Sequence, residues 1–319
     1  MPKPVVVAEL VRSGFVEGHH HGSVVALDRD GEVEWSLGGV VGPVLPRSSN
    51  KPLQAAAMVR LGLDLPPELL ALACASHSGE AFHLDGVRRI LAGVGLSESA
   101  LQTPVDYPLD DVERDAVVAG GGERTSLQMN CSGKHAAMLA TCVVNGWDLD
   151  TYLDVEHPLQ RAIQETFEEL TGEPVAAVAV DGCGAPLLSA SLTGLAGAFR
   201  RLALAQAGPE QRVAAAIRSD PAWVSGTRRD ELALLTAIPR AIGKAGAESC
   251  YAVALPDGRA FALKTDDGAP RVRPVVMAAA LQRSGVDREP GVDGDAVRRT
   301  GDSPLLGGGR RVGEIRAVL

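Results

Sequence analysis

Residues 48–61 read SSNKPLQAAAMVRL, and the placement of this run decides the fold. Ser48 and Ser49 suit a helix start, Pro52 suits a first turn, and Gly62 is a fitting terminator. The run therefore predicts a helix from Ser48 to Leu61. Upstream, Val5–Val11 and Ser23–Leu27 are Val-rich and read as strands. Arg29-Asp30-Gly31 then precedes the apolar run Val33–Leu37, a hairpin signal. Downstream, helices are expected over Pro66–Ala75, Ala81–Gly95, Gly133–Val144 and Pro158–Leu170. Residues 100–125, with Pro104, Pro108 and Gly120-Gly121-Gly122, read as loop. A short strand, Val175–Val180, and two or three helices between Pro186 and Ile242 follow. A second hairpin joins Cys250–Leu255 to Arg259–Lys264 around Pro256-Asp257-Gly258. Val275–Arg283 reads as a helix and Val312–Leu319 as a closing strand. Strands at both ends with helices between them predict an α/β (α+β) fold, an antiparallel central sheet flanked by helices. With no repeat and no clear linker, a single domain over 1–319 is expected, its helical region at about 50–245.

The bulk numbers set limits on function. Apolar residues make up 45% and charged residues 22% of 319 residues, ordinary for a globular protein. Aromatics are only 3%, so the core must be built from Ala, Val and Leu. A formal net charge of −9 argues against nucleic acid as a partner. The longest uncharged stretch, Gly182–Phe199, is broken by Gly, Ser, Thr and Pro, which argues against a membrane span. No cleavable signal pattern is visible at Met1-Pro2-Lys3-Pro4, so a cytoplasmic location is expected. Five cysteines, an odd number, argue against a disulfide framework. Cys74, Cys142 and Cys250 lie in apolar runs and read as core, whereas Cys131 and Cys183 lie among Gly and polar residues.

The chemistry concentrates at the helix start. Ser48 and Lys51 are three residues apart, so on a helix their side chains share a face. A serine hydroxyl needs an adjacent base, and burial or a second cation such as Arg47 would make a lysine serve as one. Free N–H groups at a helix start suit an oxyanion. The plain alternative is a capping serine followed by a solvated lysine. Lys51 has no carboxylate at i+3 or i+4, and the helix after it is apolar.

Three further clusters carry functional side chains. Cys74-Ala75-Ser76-His77-Ser78-Gly79-Glu80 ends an apolar helix in polar residues, and Ser76 or Ser78 offers a second hydroxyl. Lys264 ends a strand before Thr265-Asp266-Asp267-Gly268. Asn130-Cys131-Ser132-Gly133-Lys134-His135, taken with Asp181-Gly182-Cys183, supplies thiols, an amine, an imidazole and a carboxylate. Zinc accepts sulfur and nitrogen ligands, with His135 the third candidate beside the two thiols. Small core or loop cysteines are the alternative. His19-His20-His21 is read as native sequence between strands, with His20 or a neighbour pointing into the site.

Taken in order, these stretches resemble the asparaginase II family, the rhizobial-type L-asparaginases. The resemblance rests on Phe15-Val16-Glu17, His20 and Gly22-Ser23-Val24-Val25, then Pro46-Arg47-Ser48-Ser49-Asn50-Lys51-Pro52-Leu53-Gln54. It continues through the Ser76, Cys131 and Cys183 motifs, Lys244-Ala245-Gly246-Ala247-Glu248 and Ala262-Leu263-Lys264-Thr265-Asp266-Asp267-Gly268. It implies a serine β-lactamase/glutaminase-like fold, a homodimer, and hydrolysis of L-asparagine to L-aspartate and ammonia. It implies two Ser–Lys tandems, Ser48 with Lys51 and Ser76 with Lys264. It also implies a zinc site of Cys131, Lys134 and Cys183, no organic cofactor, and substrate contacts from Arg47, His20 and Asp181. Gly18 departs from the family, where Ser is frequent. The rival functions are a glutaminase, a β-lactam or peptide amidase, and a non-catalytic amino-acid- or metal-binding protein.

Overall fold

The computed structural model describes residues 5–319. Its strands are β1 (Val5–Arg12), β2 (Phe15–Leu27), β3 (Val33–Leu37), β4 (Val178–Val180), β5 (Pro186–Leu188), β6 (Ile242–Gly246), β7 (Cys250–Ala254), β8 (Ala260–Thr265), β9 (Pro304–Gly307) and β10 (Arg310–Ala317). The helices are α1 (Lys51–Arg60), α2 (Pro67–Ala73), α3 (Ala81–Gly93), α4 (Asp111–Ala119), α5 (Ser132–Asn145) and α6 (Pro158–Thr171). They continue with α7 (Leu192–Leu204), α8 (Gly208–Ser219), α9 (Pro221–Val224), α10 (Asp230–Ala237), α11 (Arg273–Arg283) and α12 (Gly294–Thr300). The α/β class with an antiparallel sheet is the one expected.

The chain divides into two compact units. The first holds Met1–Ser49, Ala190–Leu204 and Ala233–Leu319. Its sheet runs β6-β7-β8-β2-β1-β10-β9, with β3 paired to β2. Every pairing in it is antiparallel. Helices α7 and α11 pack on this sheet. The strand β2 is longer than expected. It starts at Phe15, so the three histidines lie within it. The sequence offered no alternating apolar pattern there, because the inward positions hold Gly18, His20 and Gly22: His19 and His21 are exposed and His20 is buried. Tight hairpins join neighbouring strands. Asp28 accepts from the N–H groups of Asp30, Gly31 and Glu32, closing the β2–β3 turn.

The second unit holds Asn50–Ser189 and Ala205–Leu232. At its centre α5 is buried from Ser132 to Cys142. It packs against α1, α2 and α3, while α1 also meets α6 and α8. Side chains such as Met138 and Leu139, both fully buried, each contribute roughly 1.5–3 kcal/mol by leaving water. All of α1 from Lys51 to Val59 is buried, as its Ala-, Leu- and Met-rich sequence suggests.

Several local expectations are corrected. The α-helix starts at Lys51, and Arg47–Asn50 form a 3-10 turn before it. Its cap residue is Asn50, without a side-chain cap bond, in place of Ser48 or Ser49. Within residues 100–125 lies α4, which Asp110 caps through the N–H groups of Val112 and Glu113. None of its residues is buried, so it leaves no apolar stripe to read. The strand expected at Val175–Val180 shrinks to Val178–Val180, half of a two-stranded ribbon with β5. Four helices, not two or three, lie between Pro186 and Ile242. Strands β6 and β9 and helix α12 carried no signal that was read.

Candidate active site

In the second unit, Lys51 is completely buried. Its ammonium donates to the carbonyl of Ala75 at 2.5 Å, to Ser76 Oγ at 3.1 Å and to Cys131 Sγ at 3.1 Å. All three acceptors belong to this unit. The arrangement is local in origin: α2 ends at Ala73, so Ala75 and Ser76 turn out of the helix with their carbonyl and hydroxyl available. Cys131 is the cap residue of α5. A lysine amine and a serine hydroxyl within hydrogen-bond reach can exchange a proton.

Beside Cys131 stand Lys134, Asp181 and Cys183. Lys134 donates to Cys183 Sγ at 3.1 Å. Cys131 Sγ donates to Asn130 Oδ1 at 3.2 Å, and hydrogen bonding between the Cys131 and Cys183 sulfurs, aided by Lys134, pulls the Cys183 pKa far down. The same sulfur–sulfur bonding, with burial, pushes the Cys131 pKa well up. Burial opposes the Lys134 charge, but Cys183, Cys131 and Asp181 outweigh it and raise its pKa. Met129, Ala185 and Leu153 wall the two sulfurs with apolar surface. Among the described residues, no group of three or more His, Cys, Asp or Glu side chains is placed to hold a metal. The set at hand is two sulfurs and an amine, and soft thiolates beside nitrogen suit zinc in donor chemistry. A metal taking the Lys134 nitrogen must displace its proton. His135 lies beside Cys183, with Nδ1 2.7 Å from the Tyr152 hydroxyl, and burial brings its pKa down to about 4.

In the first unit, Arg47 and Lys264 meet at one turn. Arg47 Nη1 lies 3.4 Å from Glu248 Oε1, and Lys264 Nζ donates to the Glu248 carbonyl at 2.8 Å. Glu248 and Ser249 have φ of 54° and 52°, and Arg47 has 51°. Three non-glycine residues in the left-handed region within one cluster store strain, as functional sites often do. Gly246 permits the cluster: a Cβ there would stand 2.6 Å from the Pro46 carbonyl oxygen. Ser48 lies in the 3-10 turn after Arg47 with 9% exposure, and Ser49 is buried beside Cys250. Burial pushes the Cys250 thiol up to about 11. Lys244, also fully buried, donates to the Ala245 carbonyl at 2.6 Å.

The register sorts the remaining residues. Lys264 stands opposite Ser23 on β2 and opposite Cys250 on β7, so these three share a face. Thr265 stands opposite Gly22, and strand alternation puts His20 on that other face. There His20 Nδ1 bonds Asp267, and its buried Nε2 has no partner among the described residues. The structure thus groups Arg47 with Lys264 and Lys51 with Ser76, Cys131, Lys134, Asp181 and Cys183. It separates His20 from Lys264 by the thickness of the sheet. Sequence reasoning missed Glu248 as the anchor of the two cations, and nothing in a surface-type glutamate could have singled it out.

The helical unit thus holds a buried lysine–serine pair, and the sheet unit holds a cluster of two cations. The model of the L-asparaginase II family matches residues 8–317, and the chain belongs to that family. Membership makes it a hydrolase with a small-molecule substrate. Among curated proteins none matches the sequence significantly. Similar solved structures include a β-lactamase from Mycobacterium bovis, at 16% identity, TM-score 0.46, covering 82% of this chain and 94% of that one. A Bacillus glutaminase is similar at 10% identity, TM-score 0.36, covering 82% and 90%. EstCE1, a hydrolase with promiscuous acyltransferase activity, is similar at 12% identity, TM-score 0.41, covering 78% and 91%. No helix of the described residues is long and apolar enough to cross a membrane.

Proposed function

We propose that the chain hydrolyses L-asparagine to L-aspartate and ammonia through a serine acyl-enzyme. Family membership supports the reading, and the observation that carries it is the buried Lys51 amine 3.1 Å from Ser76 Oγ. Ser48 attacks the side-chain amide carbon. Lys51, three residues on, serves as the base that takes the hydroxyl proton, with Ser76 as its relay. The proton passes to the leaving nitrogen, the C–N bond breaks and ammonia departs. Water then attacks the ester, its proton returning along the same path to Ser48 as aspartate leaves. The Ser76 N–H is already given to the Val224 carbonyl at 3.2 Å, so it has no bond to spare for an oxyanion. That favours Ser48 as the acylated residue. Lys264 and Arg47 supply positive charge for the substrate carboxylate, with Asp181 and His20 the other substrate-side residues of the reading. Cys131, Lys134 and Cys183 would hold a zinc ion, which supplies a fixed positive charge that helps orient substrate. A cytoplasmic homodimer completes the reading.

The test is ammonia release from asparagine, with glutamine and a chromogenic β-lactam as competing substrates. Wild type should prefer asparagine. Ser48→Ala should abolish release while the protein stays folded, and Ser76→Ala should retain a residue of it. Near-normal turnover by Ser48→Ala would sink the mechanism, and preference for glutamine or the β-lactam would replace the substrate.

A further inference from the structure

Ser76 belongs to a segment, 75–80, with no secondary structure of its own, yet Ser76, His77, Ser78 and Glu80 are all buried. Buried irregular backbone must find partners. They come from Val224–Arg228, in the same unit. The Ser76 N–H donates to the Val224 carbonyl at 3.2 Å, and Ser78 Oγ donates to the Ser225 carbonyl at 2.8 Å. Thr227 gives Glu80 two bonds, from its N–H to Oε1 at 2.8 Å and from its hydroxyl to Oε2 at 2.7 Å. Gly226 makes this approach possible. Its φ is +140°, and a Cβ there would stand 2.1 Å from Ser78 Oγ and 2.7 Å from Glu80 Oε1. Outside the pair, Arg228 bonds Asp110 at 2.8 Å, and the Asp110 N–H donates to the Ser78 carbonyl at 3.2 Å. On the opposite flank the His77 N–H donates to the Asn130 carbonyl at 3.0 Å.

We propose that Glu80 is a positioning residue for Ser76. By gripping Thr227 it holds Val224–Arg228 against the Ser76 segment and fixes the Ser76 hydroxyl in reach of Lys51. It touches no reacting atom. Hydrogen bonds to a carboxylate are the short, strong kind, which suits it to this task. The inference rests on the reading of Ser76 and Lys51 as a working hydroxyl–amine pair.

The experiment uses the full chain with Glu80→Ala, Glu80→Gln, Thr227→Val and Thr227→Ser. Two quantities are read: kcat and KM for ammonia release from asparagine, and amide hydrogen exchange across residues 74–80. Glu80→Ala and Thr227→Val should lower kcat roughly tenfold to a hundredfold with KM within about twofold, because misplacing a reacting group costs that much. Exchange should quicken in 74–80 more than elsewhere. Glu80→Gln still offers Oε1 to the Thr227 N–H and a donor to its hydroxyl, and Thr227→Ser keeps the hydroxyl. Both should restore most of kcat. Wild-type kcat and exchange in Glu80→Ala would overturn the proposal. So would exchange rising evenly over the whole chain, or Glu80→Gln behaving no better than Glu80→Ala. If wild type releases no ammonia, the hydrolase reading fails separately. Exchange then decides alone: a local rise with rescue supports the positioning role, and no change overturns it.

Discussion

Lys51 and Lys264 carry the same ammonium on the same flexible stem, yet the second unit encloses Lys51 completely while the first leaves Lys264 partly open to solvent. Their partners differ accordingly. Lys51 donates to a carbonyl, a hydroxyl and a thiol, none of them a carboxylate. Neutral groups of this kind replace water around a buried ammonium without cancelling its charge. Lys264 donates to the Glu248 backbone carbonyl, at a turn whose carboxylate pairs with Arg47. The first lysine is paired with a buried hydroxyl, and the second reaches the solvent-exposed edge of a turn.

Exchanging each lysine for methionine tests this contrast most severely. Lys51→Met should lower kcat for ammonia release by roughly 10²–10⁴-fold, the range for losing a general acid–base group. Lys264→Met should cost less in kcat and more in KM. Equal losses in both parameters for both variants would erase the distinction between the two units.

Acid should find the second unit first. Burial lowers the His83 pKa to about 4, and His77, stacked on it with ring centroids 5.3 Å apart, is also held well below its ordinary value by burial. Between about 4 and the ordinary 6.5, the unfolded chain therefore binds protons that the folded chain refuses. Stability is full above that window and falls as pH drops through it, by about 3 kcal/mol for His83 alone. Thermal unfolding at pH 7 and pH 4.5 measures the loss. His83→Gln should flatten the slope, and an unchanged slope would remove His83 as its source.

The smallest effect belongs to the strained turn of the first unit. Ser249 has φ of 52°, a conformation glycine adopts without penalty. Ser249→Gly should stabilise by roughly 0.5–1 kcal/mol, raising Tm by about 1–2 °C in a chain of this size. No rise would mean that contacts made by the serine side chain already offset the strain.

Legibility followed the physics of each signal. The β7–β8 hairpin announced itself through Pro256-Asp257-Gly258, and α1 through Pro52 and Gly62, because turn and cap chemistry is local. Helix α4 escaped notice although Asp110 and Glu113 spell a good start, since it buries no face. The site divides in the same way. Ser48 and Lys51 stood out by their spacing and Cys131 and Cys183 by their polar surroundings, whereas Lys134 came in place of His135 only through the family resemblance. Glu80, Thr227 and Glu248 were not, because each matters only for what it touches across the fold.

By itself the sequence determined that strands at both ends flank a helical middle, and with it the antiparallel sheet and the buried α1, since periodicity, capping and turn preferences act over a few residues. It also determined the family. Only the tertiary structure decided that Lys51 meets Ser76 and Cys131, that His20 and Lys264 face opposite ways, and that Cys183 meets Lys134. Those outcomes depend on burial and on partners distant in sequence. A side chain's polarity, unlike its backbone preference, takes its chemical meaning from whatever packing brings within about 3 Å of it.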